Sequence, residues 1–214
     1  MKRNLTSNTF LLLAALISAT LLLVFITNEY ILTVNFYERN GQPVSGIPDM
    51  ESLVYQNIKK VIYLYTVVYI TVKVLVVTLL LATGLYFFEI RVSFRKLLRV
   101  VVTCEFLFLV PAAAKICWFW QERNIVDLIT WQNFYFLSAS ALVPDVKPAF
   151  LVPLQTLNVF EVAYWFLLAE GIAKITAVPL NRSLKVVCSS YIPALFIWVI
   201  FIVYFTVVYF PQSY

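Results

Sequence analysis

Histidine is absent from this chain. Its absence removes the commonest general base at neutral pH and the commonest zinc ligand. Charge is scarce as well. Asp, Glu, Lys and Arg make up 13% of the 214 residues, against roughly 25% in a soluble domain. Glycine occurs four times and never in GxxxG spacing, so close right-handed helix crossings are not expected. The three cysteines, Cys104, Cys117 and Cys188, fall in or beside apolar runs without CxxC spacing and read as packing side chains. There is no HExxH, GxGxxG, Walker loop or GxSxG, the patterns that carry metal, nucleotide or acyl chemistry. The only aspartates, Asp49, Asp127 and Asp145, lie in polar connections, so no intramembrane aspartate pair exists. Ser138, Ser189 and Ser190 have no lysine placed beside them by the sequence. Neither an enzyme, nor a metal, nor a cofactor is expected.

What is present is apolar length. Hydrophobic residues make up 62% of the chain, in runs of about twenty or more, the length that crosses a ~30 Å hydrocarbon core. The expected fold class is all-α: a polytopic transmembrane helix bundle forming a single membrane domain. Its five spans cover 8–28, 60–89, 97–120, 154–177 and 185–210. The run from Phe10 to Ile26 exceeds the 7–15 residues of a signal-peptide core, so the first helix is read as uncleaved. Pro111 should kink the third span, because it removes a backbone donor.

Two polar segments, 29–59 and 121–152, interrupt the spans on one side. Tyr30–Tyr37 fits a short strand or an extended helix end. Asn40-Gly41 and Gly46-Ile47-Pro48 mark turns. Asp49 and Glu51 suit a helix start that runs on into the second span. Asn124–Leu137 is too polar to span and too apolar for free solvent, which fits a helix lying at the membrane surface.

The net charge of +5 is no sign of a nucleic-acid partner, because the basic residues sit between apolar runs. Lys2 and Arg3, then Arg91, Arg95, Lys96 and Arg99, then Lys174, Arg182 and Lys185 mark alternate span ends as cytoplasmic. The N-terminus is then inside and the C-terminus outside. Trp118–Trp120 and Tyr204–Phe210 fall at the outer interface, where an aromatic belt is expected.

Five ionisable residues stand out inside the spans: Lys73, Glu105, Lys115, Glu161 and Glu170. A charge at mid-bilayer costs roughly 2.5–3.5 kcal/mol or more, so it faces protein or water. At about 1.5 Å per residue, Lys73, Glu105 and Glu170 share an inner depth, while Lys115 and Glu161 share an outer one. Two buried clusters are expected on that basis, Lys73 with Glu105 and Glu170, and Lys115 with Glu161. Glu161 and Glu170 lie about 180° apart around one helix, which suggests that the fourth span is flanked on both sides. Such pairs serve helix register, a proton or ion path, or contact with another membrane protein. The lysines also have the reach to snorkel.

The stretch Thr83–Pro111, with Ser93, Phe94, Arg95, Leu97, Leu98 and Pro111, followed by Trp165, the Glu170-Gly171 end of the fourth span and the basic turn Asn181–Lys185, resembles the Yip1 family of small five-span membrane proteins. The long segment 29–59 and the very N-terminal first span depart from that family's pattern. The resemblance implies a non-enzymatic membrane protein that associates with other membrane proteins. The short loops point to a bacterial inner membrane. The leading expectation is a non-catalytic integral membrane subunit or scaffold. Its partners are the lipid bilayer and another membrane protein or a second copy. The alternative is a small transporter or permease subunit that uses the buried glutamates for coupling.

Overall fold

The computed structural model describes residues 2–40, 48–122, 127–143 and 148–209. The turns expected at Asn40-Gly41 and Gly46-Ile47-Pro48 fall largely outside those residues, as do Pro144, Phe210 and the first part of Asn124–Leu137. The described chain is helical, without strands. Helix α1 runs Lys2–Ile26 and continues as a π-helical turn, Thr27–Ile31. Helix α2 (Val34–Arg39) follows, so Tyr30–Tyr37 takes the helical alternative. Helix α3 (Pro48–Phe87) is continuous over 40 residues, about 60 Å at the usual rise, and so extends well past a bilayer core. Then come α4 (Phe94–Glu105), a 3-10 turn at Phe106–Phe108, α5 (Leu109–Glu122), α6 (Leu128–Asn133), α7 (Pro148–Thr156), α8 (Val159–Thr176) and α9 (Leu180–Tyr209).

Four stretches are long and apolar enough to cross a membrane: Asn8–Ile31, Lys59–Phe87, Phe94–Gln121 and Leu180–Tyr209. Between 11% and 28% of the most apolar window of each is buried within the protein. The remaining side chains, such as Leu64, Leu79, Ile197 and Ile200, point outward. Apolar exposure on that scale far exceeds the few hundred Å² a soluble monomer carries. It supports a membrane protein.

The expected fourth span, 154–177, is not one helix. Pro153 lies inside α7 and lacks the N–H that would continue the ladder. Five residues after Pro153, Asn158 leaves the helical conformation and its side-chain oxygen accepts from the Glu161 N–H at 2.8 Å, capping α8. A single antiparallel bridge, Ser138 with Asn158, ties the 134–143 segment to this break. Ala177 ends α8 in the left-handed conformation at φ 56°. The third span is broken too, at the 3-10 turn three residues before Pro111. Pro111 cannot donate to the carbonyl of Leu107, and the turn absorbs that loss.

Helices α3, α4, α8 and α9 form a ring in which each packs on two others, with α1 laid across α3 and α4 and α7 against α9. Helix α8 is thus flanked on both sides, but as one corner of a ring and not as its axis. The core inside the ring comes from one stripe per helix, including Val74, Leu81 and Leu85, then Leu97 and Val101, then Leu168 and Ile172, then Val186 and Val187. Close approach does occur, at single glycines. A Cβ on Gly171 would run into Val100 Cγ1, and one on Gly84 would sit 2.7 Å from Ser190 Cβ. Isolated glycines therefore set the α8–α4 and α3–α9 spacings without a GxxxG stripe.

At the end of the bundle that carries Lys59, a second cluster gathers Ile31, Phe36, Phe119 and Trp131. Asn40 Oδ1 accepts from the Leu128 N–H at 3.0 Å and joins the two connecting segments. Asp127 caps α6, accepting from the Thr130 N–H at 2.7 Å. Hydrogen bonds from Thr130, side chain and backbone, hold the Asp127 carboxyl below the ordinary aspartate range.

Two outcomes follow. Gly171→Ala should lower stability by about 1–3 kcal/mol, because Val100 is β-branched and cannot swing aside; reversible unfolding in mild detergent reads this. Because folding depresses the Asp127 pKa, the cap's contribution is complete above the unfolded value and fades as pH falls through the folded one. Protection factors of the 128–133 amides, each measured rate taken against the intrinsic rate at the same pH, should therefore be higher at neutral pH than in acid. Asp127→Ala should show the lower protection at every pH.

Candidate functional site

The 3-10 turn ends α4 at Glu105. Its carboxylate is only 5% exposed, and a charge so buried is costly unless it is paired. Two donors offset that penalty. Lys73 Nζ of α3 donates to Oε2 at 2.7 Å, and Tyr164 OH of α8 donates to Oε1 at 2.6 Å. The Lys73 ammonium also lies 4.0 Å from the centroid of the Phe108 ring, a cation–π contact that the same turn supplies.

A second carboxylate lies further along α8. Glu161 is 7% exposed, and its Oε1 accepts from Tyr191 OH of α9 at 2.8 Å and from Trp165 Nε1 at 3.0 Å. The Tyr164 and Tyr191 rings meet edge to face at 5.6 Å. Lys73, Glu105, Tyr164, Tyr191, Glu161 and Trp165 thus form one contiguous polar spine inside the ring, to which all four of its helices contribute. Charge-assisted hydrogen bonds of this kind are about twice as strong as neutral ones. Among the described residues, no three His, Cys, Asp or Glu side chains converge as metal ligands.

The structure brings Lys73 and Glu105 together. It does not bring Glu170 to them: Glu170 pairs with Lys174 at 2.7 Å, four residues on, with 51% of its side chain exposed. Nor does it join Lys115 to Glu161. The Lys115 ammonium lies 4.5 Å from the Trp131 ring centroid and 5.3 Å from that of Tyr135. Matching depth was the basis for both expected contacts, and depth does not fix azimuth. Glu161 turns toward α9, whereas Lys115 turns toward Trp131 of α6 and Tyr135. The tyrosines and the indole were missed altogether. A signal existed for two of them, since Tyr164 and Trp165 stand three and four residues after Glu161, the spacing of one helical face. At the Lys59 end, Lys59 and Glu29 form a further ion pair at 2.7 Å.

Comparison of the chain with models of known protein families, with curated proteins and with solved structures finds no match. The Yip1 resemblance therefore rests on its own residues.

If the spine is what holds α8 to α9, Tyr191→Phe should cost about 1–3 kcal/mol, because a buried carboxylate loses a donor. Trp165→Phe should cost less, since Trp165 is only half-buried and its bond is longer. Unfolding of the two variants in the same detergent gives the order.

Proposed function

We propose that this chain is a non-catalytic integral membrane subunit or scaffold that acts by associating with another membrane protein or with a second copy of itself. The observation that carries this reading is the polar spine. Its charged members find their hydrogen-bond partners inside the ring, Lys73 with Glu105, Glu105 with Tyr164 and Glu161 with Tyr191, which suits a device that fixes helix register. On this reading the bilayer is crossed five times, α7 and α8 together making the fourth crossing. Helix α8 measures about 27 Å at the usual rise, close to the ~30 Å core. The basic residues Arg95, Lys96, Arg99, Arg182 and Lys185 place their end of the bundle in the cytoplasm by the positive-inside rule. The N-terminus is then inside and the C-terminus outside, and a bacterial inner membrane is the location. The Yip1-like residues from Ser93 to Pro111 fit the same role.

The contact surface belongs to the two segments at the Lys59 end. The second of them presents Ile129 and Leu142, 67% and 83% exposed. Native mass spectrometry of gently solubilised membranes should find a stoichiometric partner or a dimer, and Ile129→Glu with Leu142→Glu should release it. A monomer throughout would contradict the reading.

One observation favours a transport role instead. Glu161 lines an open apolar groove of about 450 Å³ between α7, α8 and α9, with both of its hydrogen bonds on one oxygen. Proton flux in reconstituted vesicles that Glu161→Gln abolishes would carry that alternative.

A further inference from the structure

A second cavity, of about 500 Å³, lies between α1, α3 and the broken third span. Its composition is uneven. Toward the Lys59 end it is lined by Asn28, Thr27 and Lys115; deeper walls are apolar, with Leu16, Ile70 and Leu109 among them, and Lys73 and Glu105 close its far side. Two of the polar groups are unspent. Asn28 is 7% exposed, and its Nδ2 donor has no hydrogen-bond partner. The π-helical turn at Thr27–Ile31 is what carries Asn28 onto the buried side; such turns gather at functional sites. Among the described residues Lys115 pairs with no carboxylate and touches only the faces of Trp131 and Tyr135. Since Glu105 cancels Lys73, the cavity carries one uncompensated positive charge.

We propose that this cavity holds an anionic membrane lipid, its monoanionic phosphodiester headgroup accepting from Lys115 and Asn28 and one acyl chain lying along the apolar wall. Two features select a lipid over a soluble anion. The two headgroup donors, the neutral Asn28 amide and the Lys115 ammonium, lie toward the span ends, Asn28 before Ile31 and Lys115 before Gln121, which is about headgroup depth at 1.5 Å per residue. Between them and the Lys73–Glu105 pair the cavity is walled mainly by apolar side chains such as Leu16, Ile70 and Leu109, which a bare anion would leave uncovered. Trp131 and Tyr135 then cover the amine from the cap. A neutral zwitterionic headgroup would bring its own cation against Lys115, so the site discriminates by charge. The rule that an intramembrane lysine needs a partner is met here by the lipid.

Full-length protein in mild detergent, titrated with phosphatidylglycerol or phosphatidylcholine and read by native mass spectrometry, tests this. Wild type should retain one phosphatidylglycerol with roughly tenfold preference, about what one charge-assisted hydrogen bond supplies. Lys115→Gln should reduce the preference to under about twofold, and Lys115→Arg should keep it. Leu16→Trp, which fills the apolar wall and leaves the charge, should abolish retention of either lipid. Arg95→Gln with Lys96→Gln, at the opposite end of the bundle, should leave the tight adduct intact. Absence of any preference in wild type overturns the proposal even where a variant fails to fold. So does a preference that survives Lys115→Gln, or loss of the lipid to millimolar inorganic phosphate, which would assign a soluble anion. None of these results depends on whether a protein partner exists.

Discussion

The Glu105 carboxylate, held between the Lys73 ammonium and the Tyr164 hydroxyl, is the contact on which the remainder of the bundle depends. It unites α3, α4 and α8 at one point. It also resolves a costly placement, a negative charge buried inside the bundle. From Tyr164 the polar path passes by ring contact to Tyr191 and then to Glu161, which brings in α9. Apolar stripes supply contact area inside the ring, but lipid is as apolar as leucine and gives helices no reason to prefer one register over another. The spine gives that reason. The two glycine contacts then set how near the helices stand.

Three interruptions of helical geometry recur beside the polar groups. The π turn at 27–31 accompanies Asn28, the 3-10 turn at 106–108 follows Glu105, and the break at 157–158 precedes Glu161. Irregular backbone at membrane depth is tolerated only where protein or a cavity receives the freed groups. Here each interruption faces a neighbouring helix or one of the two cavities. Pro111 accompanies the second of them, and at the third Pro153 precedes the break and Asn158 caps the helix after it. The breaks re-aim side chains that a straight helix would leave pointing elsewhere, and the cluster of Phe36, Phe119 and Trp131 closes over the Lys59 end, where two of the breaks lie.

Four of the five expected spans coincide with helices long and apolar enough to cross a membrane, because a run of twenty apolar residues has few other uses. Lys73 with Glu105 was legible because the two residues share a depth and are of opposite sign. Glu170 and Lys115 show where that reasoning stops. Depth along a helix follows from residue counting, but which way a residue faces depends on how neighbours are arranged, and a ring of four was not implied by any spacing. Charge arithmetic also gave too narrow a list of partners. It matched acids with amines, whereas Glu161 is satisfied by a phenol and an indole, groups that read as ordinary aromatic packing until their hydroxyl and N–H are placed. The break at Asn158 was hidden by the apolar residues on either side of it, which continue the run as though one helix passed through.

A double-mutant cycle on Lys73 and Glu105 in the full-length protein, with unfolding free energies measured in bicelles, tests the account most directly. Lys73→Met alone should destabilise by on the order of 3 kcal/mol, since it strands a buried carboxylate. Glu105→Gln combined with it should recover part of that loss, for a coupling of about 1 kcal/mol or more. Additivity of the two substitutions within about 0.5 kcal/mol would mean that the carboxylate and the amine do not depend on each other, and the spine would not be what holds the ring in register.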